Sequence, residues 1–361
     1  MAPLIHFDAR YIRVDHHDGI SRFSVGLIHA LHRIANVVAV ISDERQLAHL
    51  PTGMEWVKLN DPTHWSEALA ALRLNRVGVK LFYSPMQTVG STGRKFKLVL
   101  TLHDLIYYRH PAPPPSMPLG VRIGWRLFHL AYWPQRLLLN GADAVVTVSQ
   151  TTAKLIAQHR LTRRPVGVVY NAAGELSADY EHKPPQHRPR GTQRLVYMGS
   201  FMDYKNVQTL VRGMEFLPDY ELHLLSKITD ARRDEFRTLA GAAVNQLVFH
   251  NGVSESKYHD LLDSAVALVH ASQDEGFGIP LVESMARGIP VVVSDIEIFH
   301  EIGGDAAQYF EATNAVNFAA AVKRLETETE WLKQSQLGMR QAGKFDWEKS
   351  ASALLAILQQ I

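Results

Sequence analysis

At 361 residues the chain is long for one domain and short for three, and its 46% hydrophobic and 20% charged residues exclude a disordered polyelectrolyte. Lysine and arginine number 38 against 36 acidic residues, a formal charge of +2, so no global field marks nucleic acid as a partner and any anionic ligand must be bound locally. Cysteine is absent, which removes disulfides, thiolate nucleophiles and cysteine-based zinc sites and suits a reducing cytoplasm.

The chain opens on MAPLIHFDARYIRVDHHDG, where His6 and Asp8 interrupt the apolar run a signal peptide needs, and no transmembrane-length apolar run follows. A cytoplasmic protein that does not span the membrane is expected. Short Val-, Ile- and Leu-rich runs then recur, each followed by a segment with helical apolar spacing, the rhythm of parallel βαβ units in an α/β fold. In the first half, strands are predicted at Leu4–Phe7, Val37–Ile41, Val79–Tyr83, Leu98–Leu102, Ala144–Val148 and Val166–Tyr170. Their near-continuous hydrophobicity fits strands covered on both faces.

Between the first two strands, Gly19 precedes a helix on which Ile20, Phe23, Leu27, Leu31 and Ile34 form one apolar stripe. The glycine lets backbone approach a ligand there, and an ordinary helix-start turn explains it equally well. His103 and Asp104 follow the strand KLVLTL and so stand at the ligand-binding end of a parallel sheet. A proline cluster, HPAPPPSMP from His110, precedes a stretch in which Arg122, Arg126 and Arg136 alternate with Trp125, Phe128 and Trp133. That stretch reads either as a helix lying on a membrane surface or as one packed on its aromatics with solvated arginines.

Pro184, Pro185 and Pro189 sit in a polar, aperiodic segment that places the domain boundary near residue 185. Beyond it, strands are predicted at Leu195–Met198, Glu221–Leu225, Leu247–Phe249, Ala267–His270, Val291–Val293 and Ala307–Phe310, giving a second, similar sheet. Lys205 opens the predicted helix KNVQTLVRGMEFL. A cation is disfavoured at a helix N-terminus, which suggests an anion to meet it.

The most informative segment is SQDEGFGIPLVESMARGIPVVVSD from Ser272. Gly276 and Gly278 permit an unusual backbone path and Pro280 suits a first helical turn, so the amides of Gly276, Phe277, Gly278 and Ile279 can converge on a phosphate. Glu275 and Glu283 flank that site, and carboxylates accept hydrogen bonds from sugar hydroxyls. A nucleotide sugar satisfies all three features: diphosphate on the amides, ribose on Glu283 and hexose on Glu275. Acidic residues near the positive end of a helix would give the same pattern without a ligand.

EGFGIPLVE resembles the paired-glutamate motif of retaining glycosyltransferases of the GT-B fold, in particular family 4. DGISRF from Asp18, TLHDLIYYRHP from Thr101 and YMGSFMDYKN from Tyr197 resemble, in order, three further motifs of that family. The resemblance implies two Rossmann-like doubly wound parallel-sheet domains facing a cleft. Residues 1–185 would bind the acceptor and residues 186–344 the nucleotide sugar, with the closing helix, residues 345–361, packing back on the first domain. It implies Lys205 on the diphosphate, His103 beside the transferred sugar, Gly19 near the donor phosphate, and Arg22 and Asp104 near the acceptor. The turn around Val253 would read the base, with Lys257 or Tyr258 against it.

Many relatives carry an arginine where this chain has Ser200, so a second phosphate cation would come from elsewhere, Arg287 or Lys227. The implied activity moves a hexose, mannose from GDP-mannose or alternatively a UDP-linked hexose, to a saccharide or lipid-linked acceptor in surface polysaccharide assembly. Retention at the anomeric carbon is implied, and neither an essential metal nor a further cofactor is expected. A nicotinamide-dependent dehydrogenase would need a GxGxxG turn after the first strand, and none is present. A noncatalytic sugar-nucleotide binder on the same fold could dispense with Glu275, His103 or Lys205, and all three remain.

Overall fold

A computed structural model describes residues 4–14, 18–113, 119–174 and 184–361. Parts of the proline cluster and of the interdomain connection, 114–118 and 175–183, lie outside the described residues. The chain divides into two compact units, Met1–Glu175 with Phe345–Ile361, and Leu176–Lys344.

The first unit holds a parallel sheet of β1 (Ile5–Asp8), β2 (Val37–Ile41), β3 (Trp56–Lys58), β4 (Leu81–Ser84), β5 (Lys97–Leu102), β6 (Ala144–Thr147) and β7 (Val166–Val168), in the order β3-β2-β1-β4-β5-β6-β7. β1, β2, β4 and β6 are buried at every position; β2 is accordingly apolar throughout and β4 and β6 are so up to a closing Ser84 and Thr147, whereas β1 buries His6 and Asp8 among its apolar residues. β3 escaped prediction because it is a three-residue edge strand whose Trp56 and Lys58 face water. Its helices are α1 (Gly19–Ile34), α2 (Ala70–Val77), α3 (Ile106–Arg109), α4 (Leu119–His129), α5 (Trp133–Asn140) and α6 (Gln150–Gln158).

The second unit repeats the pattern with β8 (Gln193–Tyr197), β9 (Tyr220–Leu224), β10 (Leu247–Phe249), β11 (Ala267–His270), β12 (Val291–Ser294) and β13 (Ala307–Phe310), in the order β10-β9-β8-β11-β12-β13. Helices α7 (Val207–Gly213), α8 (Asp230–Ala240), α9 (Glu255–Asp263), α10 (Ile279–Ala286), α11 (Glu297–Gly303), α12 (Ala315–Lys323) and α13 (Glu328–Ala342) accompany it. In both sheets the order reverses beside the first strand of the unit, between β1 and β4 and between β8 and β11. Ligands of doubly wound sheets bind outside the strand C-termini at that switch point.

The division falls ahead of residue 185. The chain beyond the prolines is already tied to the second unit, where Arg188 donates to the Leu325 carbonyl at 2.8 Å and His187 meets Glu328 at 2.7 Å. The last helix, α14 (Trp347–Gln359), belongs to the first unit. The Trp347 ring occupies the space where a Cβ on Gly26 of α1 would come within 2.2 Å, so only glycine admits it. The Trp347 Nε1 donates to the Ala173 carbonyl at 2.9 Å, and the Ser350 hydroxyl donates to the Tyr170 carbonyl at 2.8 Å.

Candidate active site

In the second unit the loops after β8 and β11, neighbours at the switch point, are stitched together. Gln273 N donates to the Tyr204 carbonyl at 2.8 Å, and Asn206 Nδ2 donates to the carbonyls of Ala271 and Ala312 at 3.2 and 2.5 Å. Asn206 adopts a left-handed conformation, φ +51, which breaks the chain between a short 3-10 turn, Asp203–Lys205, and α7. Lys205 therefore ends that turn and does not open a helix, and the expectation built on its helical position is corrected. What holds it is Glu275: Nζ lies 2.5 Å from Oε1, with side chains only 13% and 9% exposed. The same Oε1 accepts from the hydroxyl of the fully buried Ser272 at 2.8 Å.

Four residues after Ser272, Gly276 and Phe277 are buried and lead into Gly278, whose φ of +96 lies where side-chain-bearing residues are strained. Gly278 caps α10, with Ile279 and Pro280 in the first turn; Pro280 has no N–H and Leu281 N donates to the Gly278 carbonyl at 3.0 Å, so it is the Ile279 amide at the helix N-terminus that sits a few residues from the Lys205–Glu275 pair. Beneath it is His270, at the end of β11, whose ring packs against Tyr197 at 4.9 Å. Burial pushes its imidazole down to about 4. A neutral histidine thus lies under a cation and an anion, a feature no sequence motif announced. The Tyr197 hydroxyl donates to the Ser200 carbonyl at 2.6 Å, shaping the turn in which Ser200 is exposed.

Glu283 lies inside α10 and is buried, its Oε2 accepting from the Tyr258 hydroxyl of α9 at 3.0 Å. Tyr258 is itself buried and positions this carboxylate, so the expectation that it meets a base is corrected, whereas Lys257 is exposed. The turn before α9 carries Val253. It is held by Gly252 N donating to the Leu225 carbonyl at 2.9 Å and by the His250 ring 3.0 Å from His223, which in turn contacts Glu221. Arg287 stands at the far end of α10, about 12 Å from its first amides. Its guanidinium forms a bidentate pair with Asp263, which removes it as the second phosphate cation. Lys227 is exposed after β9, its Cγ 3.1 Å from the Cβ position of Gly252.

The first unit gathers its residues at its own switch point. Asp18 caps α1 through Ser21 N at 2.9 Å and pairs with Arg13 at 2.6 Å, placing Gly19 as the first helical residue and Arg22 a turn later. Beyond β5, the His103 Nε2 is 2.7 Å from the Pro85 carbonyl, and its ring meets Phe23 edge-on at 5.1 Å. Burial lowers the His103 pKa, opposed by that carbonyl and by Asp18. A carbonyl can only accept, so the proton sits on Nε2 and Nδ1 is left with an acceptor lone pair. Asp104 Oδ1 accepts from Ile106 N at 3.0 Å and starts α3.

Two family descriptions divide the chain between them. "Glycosyltransferase Family 4" matches residues 18–173 and "Glycosyl transferases group 1" matches residues 179–344. The chain belongs to the family 4 glycosyltransferases.

This family 4 chain is 29% identical over 185 residues to the O-antigen chain mannosyltransferase RfbU of Salmonella typhimurium, a match covering 50% of each protein. It is 25% identical over 268 residues to O-antigen chain mannosyltransferase B of Escherichia coli, 70% of this chain and 67% of the relative. It is 32% identical over 245 residues to the serotype-specific mannosyltransferase WbdA of Escherichia coli, 60% of this chain and 29% of WbdA. The matched region thus spans about half of RfbU and under a third of WbdA.

Among solved structures, sucrose-phosphate synthase from Thermosynechococcus elongatus superposes with a TM-score of 0.72 at 16% identity, covering 99% of this chain and 98% of that one. Anabaena HepE in complex with UDP and glucose gives 0.70 at 15%, covering 99% and 100%. WaaG, a glycosyltransferase involved in lipopolysaccharide biosynthesis, gives 0.68 at 14%, covering 98% and 99%. Identities this low speak for the fold alone, which is GT-B.

Proposed function

We propose that this chain transfers mannose from GDP-mannose, with retention at the anomeric carbon, to a hydroxyl of a saccharide or lipid-linked saccharide in surface polysaccharide assembly. The observation that carries the reading is the meeting of Lys205 and Glu275 at the switch point of the second sheet, beside the N-terminus of α10. In this reading the diphosphate takes Lys205 and the amides, since both supply positive charge where the leaving group accumulates negative charge. Glu275, released from Lys205, accepts from hexose hydroxyls, and Glu283, held by Tyr258, accepts from the ribose. The turn at Val253 meets the base.

On the first unit, the His103 Nδ1 lone pair accepts from a sugar hydroxyl, and Arg22 and Asp104 border the acceptor. The acceptor oxygen bonds to the anomeric carbon on the face from which the phosphate oxygen leaves, and that phosphate oxygen takes the acceptor's proton. No side chain serves as nucleophile, and the proposal includes no metal or further cofactor. The mannosyltransferase relatives support the sugar, and a lipid-linked acceptor carries with it contact with a membrane surface.

Thermal unfolding with a panel of nucleotide sugars tests this directly, because a ligand of the folded state raises the midpoint. Stabilisation by GDP-mannose and GDP above UDP-glucose and UDP is expected. Stabilisation by the uridine ligands alone would replace the donor, and stabilisation by none would end the reading.

A further inference from the structure

The helices after the proline cluster pack on their aromatics along one face and expose a second apolar face to water. On α4 the Trp125 ring packs edge-on against Tyr107 of α3 at 4.7 Å and lies 4.5 Å from His129, which also meets Tyr108 at 5.0 Å. Trp125 is therefore part of an inward aromatic cluster, which corrects its expected place in a membrane contact. The outward face is apolar as well. Ile123, Leu127 and Leu130, spaced to share one side of a helix, are 54%, 62% and 76% exposed, and Trp133 and Leu137, one turn apart on α5, are 62% and 67% exposed. Five large apolar side chains so exposed on consecutive helices form a patch that monomeric surfaces seldom carry without a partner.

The charge around this patch indicates what covers it. Residues 105–142 contain no aspartate or glutamate, and residues 105–174 carry eight lysines and arginines against Asp143 alone. That segment has a formal charge of +7 in a chain of +2, so the rest of the protein is net negative. Asp143 is moreover occupied by Arg94 at 2.7 Å. The basic loop after α6 is tied to α5, where the Arg136 guanidinium donates to the carbonyls of His159 and Arg160 at 2.9 and 3.1 Å, and that of Arg164 to the Asn140 carbonyl at 3.0 Å.

We propose that α4 and α5 form the docking face for an anionic phospholipid bilayer, with Ile123, Leu127, Leu130, Trp133 and Leu137 entering the headgroup boundary and the surrounding arginines meeting lipid phosphates. The apolar side chains supply the area that leaves water, and each arginine near the surface adds about fivefold in affinity for anionic lipid. No described helix is long and apolar enough to cross a membrane, so this contact lies in the plane of the interface. The proposal rests on the membrane contact in the reading above, to which it gives a face and a lipid chemistry.

The test is cosedimentation of the whole chain with vesicles of pure phosphatidylcholine and of phosphatidylcholine mixed equally with phosphatidylglycerol. Binding at least about tenfold tighter to the anionic vesicles, weakened by salt, is expected. The double variant Leu127→Gln, Trp133→Ala should lose about tenfold or more, whereas Trp65→Ala, at a tryptophan 78% exposed elsewhere on the same unit, should bind as the parent does. Equal binding to both vesicles, or an unaffected double variant, overturns the proposal. So does a lipid-free dimer that the double variant dissociates, since a second copy would then be the occupant. GDP binding by the parent and the double variant is measured alongside. Its absence in both would remove the transferase reading without altering the vesicle result, and its loss in the double variant alone would mark that variant as misfolded and pass the decision to the single variant Leu137→Gln, whose undiminished binding overturns the docking face.

Discussion

Lys205 and Glu275 are bonded to each other, so a diphosphate that takes the lysine must compete with the carboxylate, and that competition has a sign. At 2.5 Å the pair is worth about 7 kcal/mol of Coulomb attraction at an effective dielectric of about 20, most of it offset by desolvation of two nearly buried groups. A charge-assisted hydrogen bond of this kind nets about 1.5–3 kcal/mol, or roughly tenfold to a hundredfold in an equilibrium constant. Glu275→Gln keeps the shape and an acceptor for Ser272 but removes the charge that holds Lys205 and that would repel phosphate. Its GDP dissociation constant should fall by about tenfold, while mannosyl transfer falls by about a hundredfold because the hexose loses its carboxylate. Lys205→Met should weaken GDP by more than about tenfold, and the two changes should be strongly non-additive, since the residues touch. Titration calorimetry of the parent, both single variants and the double variant with GDP provides the four values. Weaker or unchanged GDP binding by Glu275→Gln would refute the reasoning, because it would mean that Lys205 is not what the diphosphate takes.

Tyr258→Phe leaves the buried Glu283 carboxylate without its phenolic donor, and should cost about 1.5–3 kcal/mol of stability in urea unfolding and raise the donor KM several-fold. Trp347→Ala removes the ring filling the notch over Gly26 and should destabilise the first unit by about 3–5 kcal/mol, seen in calorimetry as a loss of about 10 °C in its transition; an unchanged transition would show that α14 is not anchored there. His270 resists protonation when folded but takes a proton near its ordinary value of 6.5 when unfolded, so stability is complete above that pH and is lost as the pH falls toward about 4. His270→Phe should flatten that decline by an amount on the order of 3 kcal/mol, measured as unfolding midpoints at several values of pH between those limits.

Much of the architecture was legible in the chain itself. Strands buried on both faces have no polar alternation to obscure them, so β2 and β11 coincide with their apolar runs, and the turn at Gly278 was readable because few other residues tolerate a φ of +96. β3 was invisible for the converse reason, as a short edge strand half in water has neither period nor hydrophobicity to mark it. The placement of Lys205 at a helix start failed because the break at Asn206 depends on carbonyls of Ala271 and Ala312, far along the chain.

Composition, apolar runs and four short motifs thus determined an α/β chain of two similar halves and the residue types that could bind a nucleotide sugar. The tertiary structure alone decided who meets whom. Strand order is set by long-range packing, and only the adjacency of β8 and β11 brings Lys205 to Glu275 across 70 residues, as only the packing of α9 on α10 gives Glu283 its tyrosine and leaves Arg287 bound to Asp263. The same holds for α4, where helical spacing defines two apolar faces, but the aromatic rings of α3 decide which one is buried and which remains in water.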